Sequence, residues 1–304
     1  MNQSTLSDWA TDGAPALAGS ARSLRLAWVG KDHSQELWWG TNPPFPGGEG
    51  WSEQMRIQIG STSAGPALVE VNEQLMLVWK GMDADTQLYF AFRPDPEGTV
   101  WTGQTVVPGA STDCGPGITA IGNWVFVAWK VAGSTTIMVS IYNVLGDEWT
   151  TPEAVVGVGT SHTPALATFG TSVYMAWKGE LDDVGIYWSV HTGGTWAPQR
   201  SVSGVGTSGG PSLAVWNDFQ EPSSETVYMA WKGEGSDPGI YYTMLKDGEW
   251  LPQSSASGVG TSAAPAIHGW NDGVYAVWKG EGGSTQLLWG QMVAAVGIGQ
   301  IHQS

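Results

Sequence analysis

The stretch YMAWKGE occupies residues 174–180, and the same seven letters return at residues 228–234. Shorter forms of this stretch recur along the chain, and each contains a tryptophan followed by a short polar segment. These six tryptophans stand 47 to 54 residues apart: Trp28, Trp79, Trp129, Trp177, Trp231 and Trp278. Self-similarity at a nearly constant period of this length indicates a repeat architecture, in which each unit packs against its neighbours.

Two further markers keep the same register. A proline precedes each tryptophan by 13 residues in five repeats and by 20 in the fifth, namely Pro15, Pro66, Pro116, Pro164, Pro211 and Pro265. In five repeats a second tryptophan stands 15 residues before that proline: Trp51, Trp101, Trp149, Trp196 and Trp250. The seven extra residues of the fifth repeat fall in WNDFQEPSSETVY, residues 216–228. Because insertions are tolerated at exposed turns, we expect them at a hairpin tip.

Each period contains four strand-like runs, which in the fourth repeat are residues 164–169, 172–178, 185–190 and 195–202. Four short strands per period of about 50 residues, repeated six times, are typical of a β-propeller. The sequence therefore predicts an all-β fold, a single six-bladed β-propeller over residues 1–304 with four antiparallel strands per blade. The second run is apolar at consecutive positions, which indicates burial between two blades. We expect the six repeat tryptophans, and the outer ones, to pack there.

A closed ring requires its last blade to be joined to its first. Counted back from Pro15, Leu6 aligns with Val202 of the fourth repeat. Residues 1–8 are therefore predicted to supply the outer strand of the sixth blade. The alternative is that residues 294–302 supply it.

Composition excludes several classes of function. The formal net charge is −16, which disfavours binding to nucleic acid or to anionic membranes. A single cysteine, Cys114, rules out an intrachain disulfide, and no apolar run is long enough to span a membrane. The chain begins without the features of a signal peptide, so we expect a cytoplasmic protein or one secreted by a non-classical route. Five histidines lack metal-ligand spacing, and no metal or cofactor is predicted: His33, His162, His191, His268 and His302.

The polar segments of the repeat are predicted to meet on one face of the propeller. We label the strands of a blade A to D along the chain, so that the B–C and D–A loops share a face. The B–C loops carry KGE or a related sequence, and the D–A loops carry GVGTS or a related sequence. An aromatic residue follows eleven positions after the repeat tryptophan in five repeats. The residues predicted to bind a ligand are Lys178, Glu180, Trp188, Lys232, Glu234, Tyr242, Lys279, Glu281 and Trp289, with Lys80 and Asp83 in the second repeat.

Lysine and carboxylate groups beside an aromatic ring match the needs of a neutral sugar, whose hydroxyls form hydrogen bonds and whose C–H face packs on an apolar plate. The alternative is that the lysines pair with the glutamates or bind backbone carbonyls. Repeats four to six have the complete set. The first repeat shifts its lysine to Lys31, and the third has lost the acid from its B–C loop.

Two families share features with this sequence. The turns KDGEW (246–250) and HTGGTW (191–196) are similar to the C–D turn of Asp-box propellers of the sialidase type, although the complete Asp box is absent. The whole period resembles the tandem-repeat propeller lectins of bacteria and fungi. The sialidase resemblance implies three arginines that hold a carboxylate, a tyrosine nucleophile with its glutamate, and an acid. The five arginines show no such cluster: Arg22, Arg25, Arg56, Arg93 and Arg200.

These observations predict a multivalent lectin without catalysis, whose partners are glycans or glycoconjugates. A protein-binding scaffold that uses the same face is the alternative, and a sialidase-like glycoside hydrolase is the third possibility. Binding of simple sugars would distinguish the lectin from the scaffold.

Overall fold

The fold is given by a computed structural model that describes residues 1, 3–20, 23–43, 50–95, 98–216 and 225–294. Within these ranges the chain forms 27 strands in six sheets, and it contains no helix. The strands therefore form a six-bladed β-propeller with four antiparallel strands per blade, as the period predicts. Arg22, the tip of the fifth-repeat insertion (217–224) and the segment 295–304 lie outside the described residues.

The first strand, β1, is Ser4–Ala10. Blade 1 contains β2 (Ala16–Ser20), β3 (Ser23–Val29), β4 (Glu36–Asn42) and β5 (Met55–Ser61). Blade 2 contains β6 (Ala67–Val71), β7 (Gln74–Lys80), β8 (Gln87–Arg93) and β9 (Thr105–Ser111). Within each blade the strands pair with their chain neighbours, so the chain runs from the axis outward.

The outer strand is divided in two in the next three blades. Blade 3 contains β10 (Gly117–Ile121), β11 (Trp124–Lys130), β12 (Thr136–Asn143), β13 (Glu148–Trp149) and β14 (Glu153–Gly159). Blade 4 contains β15 (Ala165–Phe169), β16 (Ser172–Lys178), β17 (Ile186–Thr192), β18 (Thr195–Trp196) and β19 (Arg200–Ser201). Blade 5 contains β20 (Ser212–Trp216), β21 (Thr226–Lys232), β22 (Gly239–Lys246), β23 (Glu249–Trp250) and β24 (Ser254–Gly260). The fifth-repeat insertion joins the paired residues Trp216 and Thr226, so it lies at the A–B hairpin, as predicted.

The sixth blade joins both ends of the described chain. It contains β25 (Ala266–Trp270), β26 (Gly273–Lys279) and β27 (Gln286–Ala294), and β1 pairs with β27 as its outer strand. Ser4 lies opposite Trp289, and Ala10 lies opposite Gln286. The prediction that the N-terminal segment closes the ring is therefore confirmed. The alternative segment, residues 294–302, lies almost wholly outside the described residues.

A recurring bulge shows that β1 is equivalent to the other outer strands. The register of the outer strand shifts in the sheets of blades 1, 2, 3, 5 and 6. A residue with positive φ stands at the equivalent position in five blades, namely Gly109, Gly157, Gly204, Gly258 and, in β1, Asp8. Aspartate is among the residues that tolerate this conformation best. The N-terminal strand therefore copies the local geometry of a blade with a different residue.

Six apolar clusters lie between the blades, one at each interface. The six repeat tryptophans are at the centre of these clusters and are at most 1% exposed. The outer tryptophans flank them: Trp101 is buried, and Trp51, Trp149, Trp196 and Trp250 are partly buried against the same clusters. Burial of an aromatic ring of this size is among the largest single contributions to a core. The tryptophans thus hold adjacent blades together.

The interface between blades 1 and 2 contains two buried arginines. Arg25 of β3 and Arg93 of β8 are 5% and 1% exposed, and both influence the ionisation of Glu70 on β6. Arg25 donates to Ser23 and to Thr41 Oγ1 (2.7 Å), and the guanidinium of Arg93 lies 4.0 Å from the centre of the Trp39 ring. The equivalents of Arg25 in the other blades are apolar or aromatic: Met76, Phe126, Tyr174, Tyr228 and Tyr275. Blades 1 and 2 are therefore joined partly by buried charges.

Replacing Glu70 with glutamine tests whether burial or the two arginines dominate the pKa of Glu70. Burial raises the pKa of Glu70 against the opposing effect of Arg25, so the folded chain holds this proton more tightly than the unfolded chain. The contribution of Glu70 to stability is present below its ordinary pKa and is lost as the pH rises through the raised value. We expect the melting temperature of Glu70→Gln, relative to the parent, to rise by about 1–2 °C between pH 4 and pH 7. The exposed Glu148→Gln, in blade 3, is the control, and an equal difference at both pH values would contradict the assignment.

Candidate ligand-binding face

The lysines of the repeat are buried beneath their own loops. Lys80 and Lys178 are 5% and 4% exposed, and Lys232 is partly buried. The ammonium of Lys178 donates to Ser161 Oγ (2.9 Å) and to the backbone oxygens of Gly179 (3.4 Å), Leu181 (3.2 Å) and Asp183 (2.8 Å). In the described residues no ion pair joins Lys178 to Glu180 or Lys232 to Glu234. The ammonium thus organises the B–C loop from within.

The same arrangement recurs in two other blades. Lys232 Nζ donates to Ser208 Oγ (2.8 Å) and to the carbonyls of Gly233, Gly235 and Asp237. Lys80 Nζ donates to Ser63 Oγ (2.6 Å) and to the carbonyls of Gly81 and Asp83. The third residue after each lysine has positive φ, namely Asp83, Leu181 and Gly235, and its carbonyl is an acceptor of the ammonium. A left-handed turn in the loop therefore directs carbonyl groups at the buried charge.

The glycine and the aspartate of each loop form a second fixed unit. Asp183 accepts the Gly185 amide (2.8 Å) and the Tyr187 hydroxyl (2.9 Å), and it lies directly on Gly179, where a Cβ would collide with it. These hydrogen bonds hold the pKa of Asp183 below its usual range and raise the pKa of Tyr187. The spacing of four between the aspartate and the tyrosine recurs as Asp85 with Tyr89 and Asp237 with Tyr241. Sequence reasoning overlooked this pair, although its spacing is visible in three repeats.

The threonines of the D–A loops are also internal. All six are fully buried: Thr11, Thr62, Thr112, Thr160, Thr207 and Thr261. Each hydroxyl donates to the carbonyl two residues later, and this closes the turn before the next blade. The GVGTS motif therefore shapes the loop, and its threonine is not available to a ligand.

The glutamates differ from these residues because their side chains point outward, across a groove. Glu180, Glu234 and Glu281 are exposed, and within the described residues their carboxylates form no hydrogen bond or ion pair. Each carboxylate lies over a glycine of the preceding blade, at Gly159, Gly206 and Gly260, where an added Cβ would meet the carboxylate oxygen. KGE therefore combines an internal lysine, a glycine required by close packing, and an acid presented between two blades.

The groove between blades 3 and 4 encloses a cavity of about 450 Å³. Its walls include Glu180, Tyr187 and Gln199 of blade 4, together with Thr136 and residues 154–159 of blade 3. Val156, on the blade 3 side, is 92% exposed. The groove thus presents a free carboxylate, a phenol ring and an exposed aliphatic side chain to solvent.

The predicted aromatic residues occupy different places from this phenol. Trp188 is 5% exposed and packs in the next interface, where Tyr174 stacks on it and Arg200 lies 4.8 Å from its ring centre. Tyr242 and Trp289 are partly buried in the interfaces that follow blades 5 and 6. Because successive residues of a strand face opposite sides, Tyr187 shares a groove with Glu180 and Trp188 does not. The predicted site residues thus divide between two neighbouring grooves, and their contact with a ligand stays a prediction.

Three repeats depart from the common arrangement. In the third repeat, Lys130 pairs with Asp113 (2.7 Å), so the acid stands in the D–A loop. Burial would raise the pKa of Asp113, but the hydrogen bonds from Lys130 and Gly133 outweigh it and lower the pKa. In the sixth, Lys279 Nζ reaches the backbone oxygen of Asp12 at 3.3 Å. In the first, the lysine position is the buried Val29, and the exposed Lys31 lies 3.8 Å from Asp32. The second repeat has the common lysine arrangement, but the backbone amide of its Asp83 also donates to Gln35 Oε1 (2.8 Å) across the groove.

Other kinds of site have little support in the described part of the chain. No three His, Cys, Asp or Glu side chains there cluster closely enough to hold a metal ion. None of its segments is a helix of the length and apolarity needed to cross a membrane. Cys114 is partly buried, and burial raises the pKa of its thiol. The repeated carboxylate-bearing grooves are therefore the best candidate site on this face.

Comparison with known proteins identifies the fold. The sequence matches no protein-family profile and no curated protein sequence. Among solved structures, the Aleuria aurantia lectin in complex with Fucα1-6GlcNAc is similar, with a TM-score of 0.63, 12% identity and coverage of 94% of this chain and 97% of the lectin. The SapL1 lectin in complex with α-methyl fucoside has a TM-score of 0.61 and 14% identity, and the match covers 93% of this chain and 97% of the lectin. The NanB sialidase of Streptococcus pneumoniae has a TM-score of 0.64 and 10% identity, and the match covers 97% of this chain and 70% of the sialidase. The chain is thus structurally similar to propellers that include lectins and a sialidase.

Proposed function

We propose that this protein is a multivalent carbohydrate-binding protein that acts without catalysis, with its sugar sites in the grooves between blades on the B–C/D–A face. The observation that carries the proposal is the position of Glu180, Glu234 and Glu281. Three exposed carboxylates, equivalent in the repeat, each lie across a groove and have no partner in the described residues. A carboxylate is an acceptor for two sugar hydroxyls, and its hydrogen bonds are stronger than those of neutral acceptors.

The surroundings of these carboxylates suit a neutral sugar. In the groove between blades 3 and 4, Tyr187 and Val156 offer apolar surface for the C–H face of a sugar ring, while Gln199 and Thr136 offer further polar groups. The acidic groups and the net charge of −16 disfavour an anionic ligand. The lectins that resemble this fold were solved with fucosides, so α-methyl fucoside is the first sugar to test.

The ring arrangement favours avidity. A shallow groove forms few contacts with a sugar, so each site alone should bind weakly. Equivalent sites that face the same way raise the apparent affinity for a dense glycan surface by roughly 10²–10⁴ without any new contact. We therefore expect much stronger binding to glycan-coated surfaces than to free monosaccharides.

The triple variant Glu180→Gln, Glu234→Gln, Glu281→Gln tests the location of the sites. We expect at least a tenfold loss of binding to an immobilised glycan with little change in melting temperature, because these side chains are exposed. The control replaces Glu53, Glu148 and Glu225 with glutamine, which makes the same charge change at exposed positions on the opposite face. A glycan array that covers neutral and acidic sugars provides the readout. Equal loss in both variants, or in neither, would contradict the proposed sites, and a parent that binds no glycan would overturn the function.

A sialidase-like hydrolase is the second candidate, because the NanB sialidase has the same fold. The described arginines give it little support. Arg56 pairs with Glu36 (3.1 Å), Arg200 contacts Glu249, and Arg25 and Arg93 are buried between blades 1 and 2. Release of a fluorescent leaving group from a sialoside would identify catalysis directly.

A further inference from the structure

The propeller has a second cavity on the same face, on its axis. This cavity of about 580 Å³, here called the axial well, is separate from the grooves between blades. The six D–A loops form most of its wall, together with Lys232 and Gly235 of blade 5. A proline from each D–A loop lines it: Pro15, Pro66, Pro116, Pro164, Pro211 and Pro265. The repeat that places sugar sites around the ring therefore also builds a sixfold well at its centre.

Aliphatic residues stand at the base of the axial well, and their side chains also pack in the clusters between blades. They are the second residues of the six A strands: Leu17, Leu68, Ile118, Leu166, Leu213 and Ile267. The same six residues also line a smaller cavity of about 220 Å³ toward the opposite face. The ring of aliphatic side chains thus divides the central channel and gives the well an apolar base.

The wall of the well is preformed. Gly65, Gly115 and Gly210 pack so closely on the preceding loop that a Cβ at each would lie 2.5 Å from the backbone oxygen of Ala14, Gly65 or Thr163. Proline has a fixed φ, which further restricts each loop. A ligand that enters a rigid site avoids the entropic cost of ordering its walls.

Side-chain polar groups around the well are used internally. The hydroxyls of Ser208 and Ser262 donate to the carbonyls of Gly233 and Gly280 (both 2.8 Å). The His162 ring bonds Ser161 Oγ (3.0 Å), and burial together with Lys178 and Lys130 lowers the pKa of His162, so the ring is neutral near pH 7. The ammonium of Lys232 is bound by its own loop. The mouth of the well is therefore framed by the backbone of the loops, above an apolar floor and without a free charge.

We propose that the axial well is a binding site for an uncharged small molecule with an apolar body, held with its apolar end on the ring of Leu17, Leu68, Ile118, Leu166, Leu213 and Ile267. The volume is within the range of about 300–1,000 Å³ that is typical of small-molecule sites. The proposal does not rest on the sugar sites, because the well and the groove between blades 3 and 4 have no lining residue in common.

The test fills the well with a side chain. Gly209 lines it, and a Cβ added there meets nothing within 4 Å, so Gly209→Phe should project into open space. Gly103 also has nothing within 4 Å of an added Cβ but lies away from the axis, so Gly103→Phe is the matched control. The probe is the neutral dye N-phenyl-1-naphthylamine, whose fluorescence rises in apolar surroundings.

We expect the parent and Gly103→Phe to bind the dye saturably with one site per chain, and Gly209→Phe to bind it at least tenfold more weakly. Ala263→Phe, from another loop of the well, provides a second variant if Gly209→Phe does not fold. Binding to an immobilised glycan should be the same in all folded variants. Absence of saturable dye binding by the parent, or equal dye binding by the folded well variants and the control, would overturn the proposal. Failure of the sugar sites would leave this result unaffected.

Discussion

Removal of residues 1–10 should lower the melting temperature by more than about 10 °C. These residues include β1, the outer strand of the sixth blade, and the backbone of Thr11 extends the same seam by donating to Thr285 (2.7 Å). Leu6 and Trp9 are 3% and 4% exposed. Loss of two buried side chains of this size costs about 5 kcal/mol or more, since truncation of a leucine costs about 2–5 kcal/mol and of a tryptophan about 3–5 kcal/mol.

The effect should exceed that of shortening an ordinary edge strand, because β1 also joins two blades. The Trp9 ring stacks on Trp28 of blade 1 with ring centres 4.6 Å apart, and it leaves no room for a side chain at Gly40. Gln286 Nε2 donates to the carbonyl of Leu6 (2.9 Å). Without β1, the edge of β27 and the face of blade 1 would both be exposed to water.

Two variants distinguish the loss of ring closure from a general effect of truncation. Removal of residues 1–3 alone leaves β1 intact and should change the melting temperature little. Trp9→Ala should cost about 3–5 kcal/mol in chemical denaturation, because the ring is buried between two blades. A ring closed by another segment would instead leave the melting temperature of the longer deletion unchanged.

Replacing Lys80, Lys178 and Lys232 together with methionine should destabilise the fold by at least about 5 kcal/mol. Methionine keeps much of the side-chain volume but removes a charged donor. In each blade a serine hydroxyl and two or three backbone carbonyls would lose their ammonium partner. Hydrogen bonds to charged groups contribute about 1.5–3 kcal/mol, and unpaired buried acceptors add a cost of their own.

This variant also distinguishes two roles for the lysines. The sequence alone predicts that the lysines lie at strand ends and contact a ligand. With that role, the variant would be stable and would have lost glycan binding. From the geometry they hold the loops, which predicts loss of stability in urea or thermal melts. Lys31→Met is the control, because the Lys31 side chain is 56% exposed and lies outside the buried position. Glycan binding should be compared at a temperature at which every variant is folded.

Much of the architecture follows from the sequence because it depends on a repeated pattern. The strand runs predicted in the fourth repeat agree with β15 to β19, and Trp177 is fully buried as expected. The outer strand at the N-terminus was visible in the alignment of Leu6 with Val202, which are 3% and 6% exposed. Alternation of side chains and the position of turns are local properties, so one chain compared with itself is sufficient to predict them.

The candidate site depends on side-chain directions that the sequence does not show. Ligand contact by the glutamates and aromatic residues named from the sequence stays a prediction, as it does for the lysines, which the structure encloses in their own loops. Their direction depends on the left-handed residue at Asp83, Leu181 or Gly235, which turns the loop carbonyls toward the ammonium. The aromatic residue that lines the groove beside Glu180 is Tyr187, one position before the predicted Trp188, and successive residues of a strand face opposite sides of the blade.

The sequence by itself determined the number of blades, the register of their strands, the tryptophan cores and the face on which the polar loops meet. Each of these is set by periodic apolar burial, which is repeated along the chain and therefore legible in it. Only the tertiary structure decided which polar residues remain free. Glu180 and Lys178 are two positions apart, but the carboxylate extends over Gly159 of the preceding blade while the ammonium is enclosed by its own loop. That difference depends on backbone turns and on contacts between blades, and neither is a property of a residue type or of its spacing.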